Sequence, residues 1–156
     1  MNGEGVEVGE MHPDEVGVVR DLLVDLTVEE QRHFDHPQET PDEIARRLRV
    51  AQTFSGANHY LVARDRDGVP LGLCWVALFD PGNGLEAEIA ELYVRPEARE
   101  RGVATRLVAA AMELIRSSGV TFASVWTRGE NEAALAAYRA AGFRATEQTV
   151  LTWLPL

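Results

Sequence analysis

Two carboxylates three positions apart, Glu88 and Glu91, sit in an apolar stretch that leads into Arg99-Glu100-Arg101-Gly102-Val103-Ala104. A carboxylate, directly or through a water, can take a proton from a group that must be neutral to react. The second stretch suits a different task. Small residues at Gly102 and Ala104 let a ligand approach the backbone. The first amides of a helix opening there, including those of Val103, Ala104 and Thr105, lack intrahelical partners, and the positive dipole end lies behind them. Arg99 and Arg101 add charge, so the segment describes a pyrophosphate cradle. A tight turn packed on a sheet would use the same glycine, and the pattern alone leaves that reading open. A dinucleotide-binding turn fits poorly: Leu107 stands where a third small residue is needed, and the two glutamates precede the loop instead of following it by about 20 residues.

The elements that must position these residues follow from periodicity. Residues 4–10 alternate as a short strand. Residues 13–26 carry Val16, Val19, Leu22, Leu23 and Leu26 at helical spacing, and residues 27–40 read as polar and irregular. Thr40-Pro41-Asp42-Glu43 is a second helix start, with Ile44, Leu48 and Val50-Ala51 as the apolar side. Strands at 58–64 and 70–79 flank the turn Asp65–Gly68 as a hairpin, and residues 86–94 form another strand. A helix spans Gly102 to about Ser118, ended by Gly119. A strand follows at 120–127, then a helix from Asn131 to Ala141, ended by Gly142. Residues 143–154 hold one or two closing strands. The order predicts an α/β fold, a mixed sheet with helices on both faces, in a single domain over 1–156.

Periodicity also weighs individual residues. A regular strand puts Glu88 and Glu91 on opposite faces, so one of them could be solvated surface charge. Asn131 could be a plain helix cap and Tyr138, seven residues on and on a similar face, a half-buried core residue. Cys74, Trp75 and Phe79 read as core. Trp126 and Trp153 are open to the core or to a homodimer contact. His33 and His36, with Glu29, Glu30 and Asp35 nearby, read as an irregular solvated loop rather than a metal site. The same acids could contact a cationic ligand.

Composition narrows the chemistry. The 156 residues carry a net charge of −10, a poor balance for sequence-independent nucleic-acid binding. All 15 basic residues are Arg, which removes a phosphate-loop Lys, a Schiff-base Lys and a pyridoxal-phosphate anchor. The single Cys excludes an intrachain disulfide and a Cys-rich zinc site. Residues 1–60 hold 5 Arg against 13 acids, and residues 99–156 hold 7 Arg against 5 acids, which suggests one cationic and one anionic ligand. No apolar run approaches ~20 residues and no secretory signal is visible, so the expectation is a cytoplasmic protein away from membranes.

The order of strand, Arg99-x-x-Gly102-x-Ala104, long helix, strand, then Asn131-x-x-Ala134, Tyr138 and Gly142-Phe143 resembles the GNAT superfamily of N-acetyltransferases. The match is clear over 86–145 and looser by residue before it. The resemblance implies the GNAT acyl-CoA N-acyltransferase fold and direct transfer from acetyl-CoA to a primary amine, with no metal. It implies that the backbone at Leu92-Tyr93-Val94 pairs with the pantetheine arm and that residues 101–105 hold the pyrophosphate. Asn131 would contact the cofactor arm, and Tyr138 would serve as general acid at the sulfur. Glu88 and Glu91 are the candidate bases, Glu91 for binding the acceptor amine and Glu88 for assistance through water. Position 100 departs from the family, with Glu where Gly is frequent. A small cationic acceptor fits the acidic front half. A protein N-terminus or Lys side chain is the alternative acceptor, and a non-catalytic acyl-CoA sensor the alternative function.

Overall fold

A computed structural model of the chain describes residues 9–33, 35–50, 55–82 and 84–153. The chain divides into two compact units, residues 1–55 with 80–84, and residues 56–79 with 85–156.

In the first unit, a 3₁₀ turn at Pro13–Glu15 leads into α1, Val16–Glu30, followed by a second 3₁₀ turn at Gln31–His33. Helical structure therefore replaces the first part, 27–33, of the irregular segment expected over 27–40, and residues 35–40 are irregular as expected. The apolar spacing continues from Val24 to Val28, both in the small core built on Ile44 and Leu48. Thr27 satisfies its hydroxyl inside the helix by donating to the Leu23 carbonyl at 2.7 Å. The expected apolar stripe is also rotated, since Leu22 and Leu26 are exposed and Val24 is buried. Gln31 orders the following loop: its Nε2 donates to the Glu39 carbonyl and its Oε1 accepts from the Glu39 N–H, both at 2.9 Å. Helix α2, Pro41–Arg47, starts as expected in a reciprocal cap. The Glu43 N–H donates to Thr40 Oγ1 and the Thr40 N–H donates to Glu43 Oε2. The first expected strand, 4–10, lies mostly outside the described residues. Gly9 and Glu10 carry no regular structure.

In the second unit, four strands run in the order β1 (Ser55–Arg64), β2 (Pro70–Asp80), β3 (Glu86–Val94) and β4 (Phe122–Val125). The β1–β2 turn is tied by Asp65 Oδ1, which accepts from the N–H groups of Asp67 and Val69. Strands β2 and β3 are antiparallel, and β3 and β4 are parallel. Helices α3 (Val103–Ser117) and α4 (Glu132–Ala140) bury Leu107, Val108, Ala111, Ile115, Ala137 and Tyr138 against one sheet face, which supplies Cys74, Val76, Leu78, Ala87 and Ile89. Trp75 and Phe79, expected in the core, alternate with those β2 residues and fall on the other face. Trp126 and Trp153 are exposed.

The chain end differs from expectation. No strand forms over 143–153, and Val150, Leu151 and Trp153 are exposed. The polar run Thr146-Glu147-Gln148 separates these residues from Phe143, which is held by the end of α4, so the segment has no continuous apolar edge to lay on β4. It lines a cleft of about 630 Å³ with Phe122, Trp126 and Leu135 instead. No helix among the described residues is long and apolar enough to cross a membrane.

Candidate active site

The carboxylates come together through a defect in the β2–β3 ladder. Glu91 pairs with Trp75, yet Ile89 pairs with Val76, so β3 spends one more residue, Ala90, than β2 does. This is a β-bulge. Below it Ala87 and Ile89 face the α3–α4 core, and above it Leu92 and Val94 do. The slip of one residue returns Glu91 to the face already holding Glu88. The expectation of opposite faces is thus corrected. Across the ladder the two acids oppose Trp75 and Ala77, two residues apart on one face, which sets them about 7 Å apart along the sheet. The signal was present as Ala87 and Ile89 followed by Leu92 and Val94, a period of two with one skipped position.

The same region frees a stretch of backbone. Strand β4 pairs with β3 from Glu86 to Ile89 and ends at Val125. From the bulge to Val94, that edge of β3 has no described strand beside it. Leu92 and Val94 are half-buried in the core cluster, whereas Tyr93 is exposed.

Beyond β3 the chain forms a concave run of amides. Glu100 has φ +59° and Gly102 has φ +75°, while Arg101 and Val103 stay out of the left-handed region. Two left-handed residues one apart give the loop a backbone that can gather successive N–H groups as an anion-binding nest. No side chain caps α3, so the amides of Val103, Ala104 and Thr105 remain available at its positive end. Glycine is the natural residue at both left-handed positions, and position 100 carries glutamate in that conformation. Arg101 and Thr105 are exposed, and Val103 and Ala104 half-buried. Arg99, the other expected phosphate ligand, also has a structural role. Its Nε–H donates to the Val94 carbonyl at 3.0 Å and its guanidinium lies 6.0 Å from the Tyr93 ring centre. It braces the strand end against the loop.

Tyr138 is fixed from the last helix. Gly142, at φ +100°, and Phe143 close α4 in a Schellman turn, with the Phe143 N–H on the Tyr138 carbonyl at 3.0 Å and the Gly142 N–H on that of Arg139 at 3.0 Å. The turn carries the Phe143 ring edge-on to Tyr138, with centres 5.8 Å apart. The Tyr138 residue is only 5% exposed. Its hydroxyl has no hydrogen bond to a described residue, and no described buried side-chain polar atom lacks a partner. The oxygen therefore reaches accessible space. Burial, with smaller contributions from nearby Cys74 and Glu91, pushes the phenol up to about 12. Tyr138, Cys74 and Glu91 thus share one neighbourhood. Cys74 is fully buried and its thiol is pushed up to about 11, which keeps it unreactive. Asn131 caps α4, its Oδ1 accepting from the Ala134 N–H at 3.2 Å. Among the described residues no group of three His, Cys, Asp or Glu could hold a metal ion.

Two residues near Glu91 were not anticipated as functional. Tyr60 stacks on Trp75, ring centres 5.5 Å apart, and Asn58 Oδ1 accepts from Trp75 Nε1–H at 2.8 Å. An aromatic in β1 two residues from an asparagine was the available signal, but only the fold shows that both meet Trp75, which the register sets opposite Glu91.

Comparison with known proteins agrees with this geometry. The family model described as the acetyltransferase (GNAT) family matches residues 20–143. A mycothiol acetyltransferase of Sanguibacter keddieii is 33% identical over 128 residues, which cover 78% of this chain and 40% of that protein. One from a Mycobacterium species is 31% identical over 144 residues, 92% of this chain and 42% of that protein. The chain thus spans less than half the length of these relatives. In fold it is similar to an aminoglycoside acetyltransferase from a soil metagenome solved with sisomicin (TM-score 0.52, 18% identity, covering 90% of this chain and 88% of that one). It is also similar to the acetyltransferase AAC(6')-Iy bound to a CoA-acetylneamine bisubstrate analogue (TM-score 0.51, 21% identity, 96% and 98% covered). The mixed sheet and the family match over most of the chain lead to one conclusion: this protein belongs to the GNAT family of acetyltransferases.

Proposed function

We propose that the protein transfers the acetyl group of acetyl-CoA directly to a primary amine on a small cationic molecule. The observation that carries this reading is the bulge at Ala90, which gathers two carboxylates on one face beside a free strand edge. The nest at 100–103 and the uncapped amides of α3 suit the pyrophosphate, with Arg101 adding charge. The free edge at Leu92-Tyr93-Val94 suits the amide groups of the pantetheine arm. Asn131, whose Oδ1 caps the helix, would use its amide nitrogen toward the same arm.

The acceptor arrives as an ammonium and must lose a proton before it attacks. Glu91 binds it, and the proton leaves to Glu91 or through water to Glu88. The new N–C bond forms as the carbonyl π pair moves to oxygen, and a backbone N–H at the bulge, near Leu92, receives that charge. The C–S bond then breaks and its electron pair leaves on the CoA sulfur. Tyr138 donates to that sulfur. Burial holds its phenol well above an ordinary thiol near 8.5, so complete proton transfer to the sulfur is uphill. Its part is a hydrogen bond that stabilises the departing thiolate, which takes its proton from solvent. Cys74, being buried, forms no acyl intermediate.

The relatives named above are called mycothiol acetyltransferases, and that name supports a small-molecule acceptor. The test is release of CoA thiol from acetyl-CoA across a panel of small amines, polyamines and peptides. Release with a small amine is expected. Release with peptides alone would replace this reading by protein acetylation, and CoA binding without release would replace it by a sensor.

A further inference from the structure

Strand β4 and the segment after α4, both in the second unit, leave two needs unmet. On one side β4 pairs with β3, and on the other no described strand joins it. A free strand edge is a template for further pairing. Thr149-Val150-Leu151-Thr152-Trp153 is rich in the β-branched and aromatic residues that strands favour, yet it joins no ladder. Thr146, Gln148 and Val150, every second residue, line the cleft beside Phe122 and Trp126. Leu151 and Trp153 fall on the alternate positions of the segment and turn to solvent, 90% and 82% exposed.

Area and charge together say what covers this face. Phe122, Trp126, Val150, Leu151 and Trp153 are each more than half exposed. At about 200 Å² for a large side chain they offer roughly 700 Å² of apolar surface. That exceeds the largest patch of an ordinary monomer, about 300–600 Å², and approaches the roughly 800 Å² that each partner gives to a stable interface. Residues 120–153 hold three Arg and three Glu, whereas residues 1–98 hold 8 Arg against 20 acids. Two copies of a chain at −10 repel one another, so self-association needs a face of balanced charge. This face is both balanced and apolar, and a two-fold contact sets it against itself with no excess of like charge. A nucleic acid or an anionic lipid surface would need an excess of basic groups that the face lacks.

We infer that this face, Phe122 and Trp126 with the segment 150–153, is the interface of a two-fold homodimer in which each copy covers the apolar patch of the other. Dimerisation through it does not depend on acetyl transfer. The experiment is sedimentation equilibrium of the full chain from about 1 to 100 µM. The wild type is expected at twice the 17.2 kDa chain mass in the upper part of that range. Leu151→Glu and Trp153→Glu each place a charge twice in the apolar contact and should raise the dimer dissociation constant at least about 100-fold. Both positions are exposed in the single chain, so neither substitution disturbs its core, and circular dichroism checks that each variant folds. Leu22→Asp, at an exposed apolar position of α1 in the other unit, should leave the mass unchanged and so controls for general stickiness. A wild type that keeps the single-chain mass at the top of the range, or that grows beyond two copies, would overturn the interface. A dimer indifferent to either Leu151→Glu or Trp153→Glu would overturn it too, as would one that Leu22→Asp dissociates equally well.

Discussion

Glutamate at position 100 is at odds with its loop in two separable ways. Its backbone sits at φ +59°, a conformation that costs an L-residue roughly 1–2 kcal/mol relative to the right-handed region. Its charge stands at the rim of the amide nest that would hold a diphosphate. Taking the carboxylate about 8 Å from a doubly charged group in a water-like dielectric gives a repulsion of about 1 kcal/mol before screening. Screening over an 8 Å Debye length at 0.15 M salt leaves about 0.4 kcal/mol, and over 30 Å at 0.01 M about 0.8 kcal/mol. Glu100→Gln should therefore tighten CoA binding about twofold at the higher salt and about fourfold at the lower. Glu100→Gly should give the same electrostatic gain. It also relieves the backbone strain, less about 0.5–1 kcal/mol for the greater entropy of unfolded glycine, so its melting point should rise by up to about 6 °C while that of the Gln variant stays put. Calorimetric titration with CoA at the two salt concentrations, together with thermal unfolding, reads all four numbers. If both variants bind CoA no better than wild type at 0.01 M salt, the nest is not where the phosphates sit.

Other outcomes follow from the same geometry. Tyr138→Phe should lower kcat by about 10- to 100-fold through loss of one hydrogen bond to the leaving sulfur, with CoA affinity within twofold, measured by steady-state kinetics and calorimetry. Stability should fall in alkali: Tyr138 and Cys74 have folded values of about 12 and 11, above their unfolded values, so the unfolded chain loses these protons first and stability present below pH 9 is lost progressively up to about pH 12. Denaturant titrations should show a decline of up to about 3 kcal/mol for each group, and Tyr138→Phe should remove the Tyr138 share, so that the decline from this pair ends near pH 11 with Cys74. Gly72→Ala would place a Cβ 2.5 Å from the Tyr93 carbonyl, so it should destabilise the fold by about 1–3 kcal/mol and raise the KM for acetyl-CoA by disturbing the free edge of β3. Deleting Ala90 should keep the fold, because Ile89, Glu91 and Leu92 then alternate regularly in the core register. It should cost at least about 100-fold in kcat through loss of the extra backbone donor, and a melt within a few degrees of wild type together with full activity would refute the oxyanion role.

The elements nearest the proposed chemistry were the most legible. Strand β3, helix α3 and helix α4 all appear within a residue or two of their expected bounds: the helices combine a strong apolar period with a glycine or asparagine at each end, and Pro96 stops the strand. The Tyr138 and Gly142-Phe143 motif proved to have a local cause as well: the Schellman turn that stops α4 also seats Phe143 on Tyr138. Legibility failed where tertiary partners decide. Leu22 and Leu26 have helical spacing, but Val24 and Val28 are the residues that meet Ile44 and Leu48. The apolar residues after Phe143 have strand-like content and no ladder to join.

The bulge explains why the candidate site was only half readable. Sequence spacing assigns faces by parity, and parity put Glu88 and Glu91 apart. One extra residue reverses that assignment for everything beyond it. The reversal is tolerated because Leu92 and Val94 take the core positions that Glu91 and Tyr93 would otherwise hold, and a charged residue in that core would carry a penalty of several kcal/mol. The apolar pattern thus requires the slip, and the slip brings the second carboxylate to the face of the first. It also frees a backbone unit at the point where the strands part. A single residue of irregularity in β3 joins the packing requirement to the proposed catalytic one, and for that reason alternation of the side chains in this strand is more informative than the identity of its two glutamates.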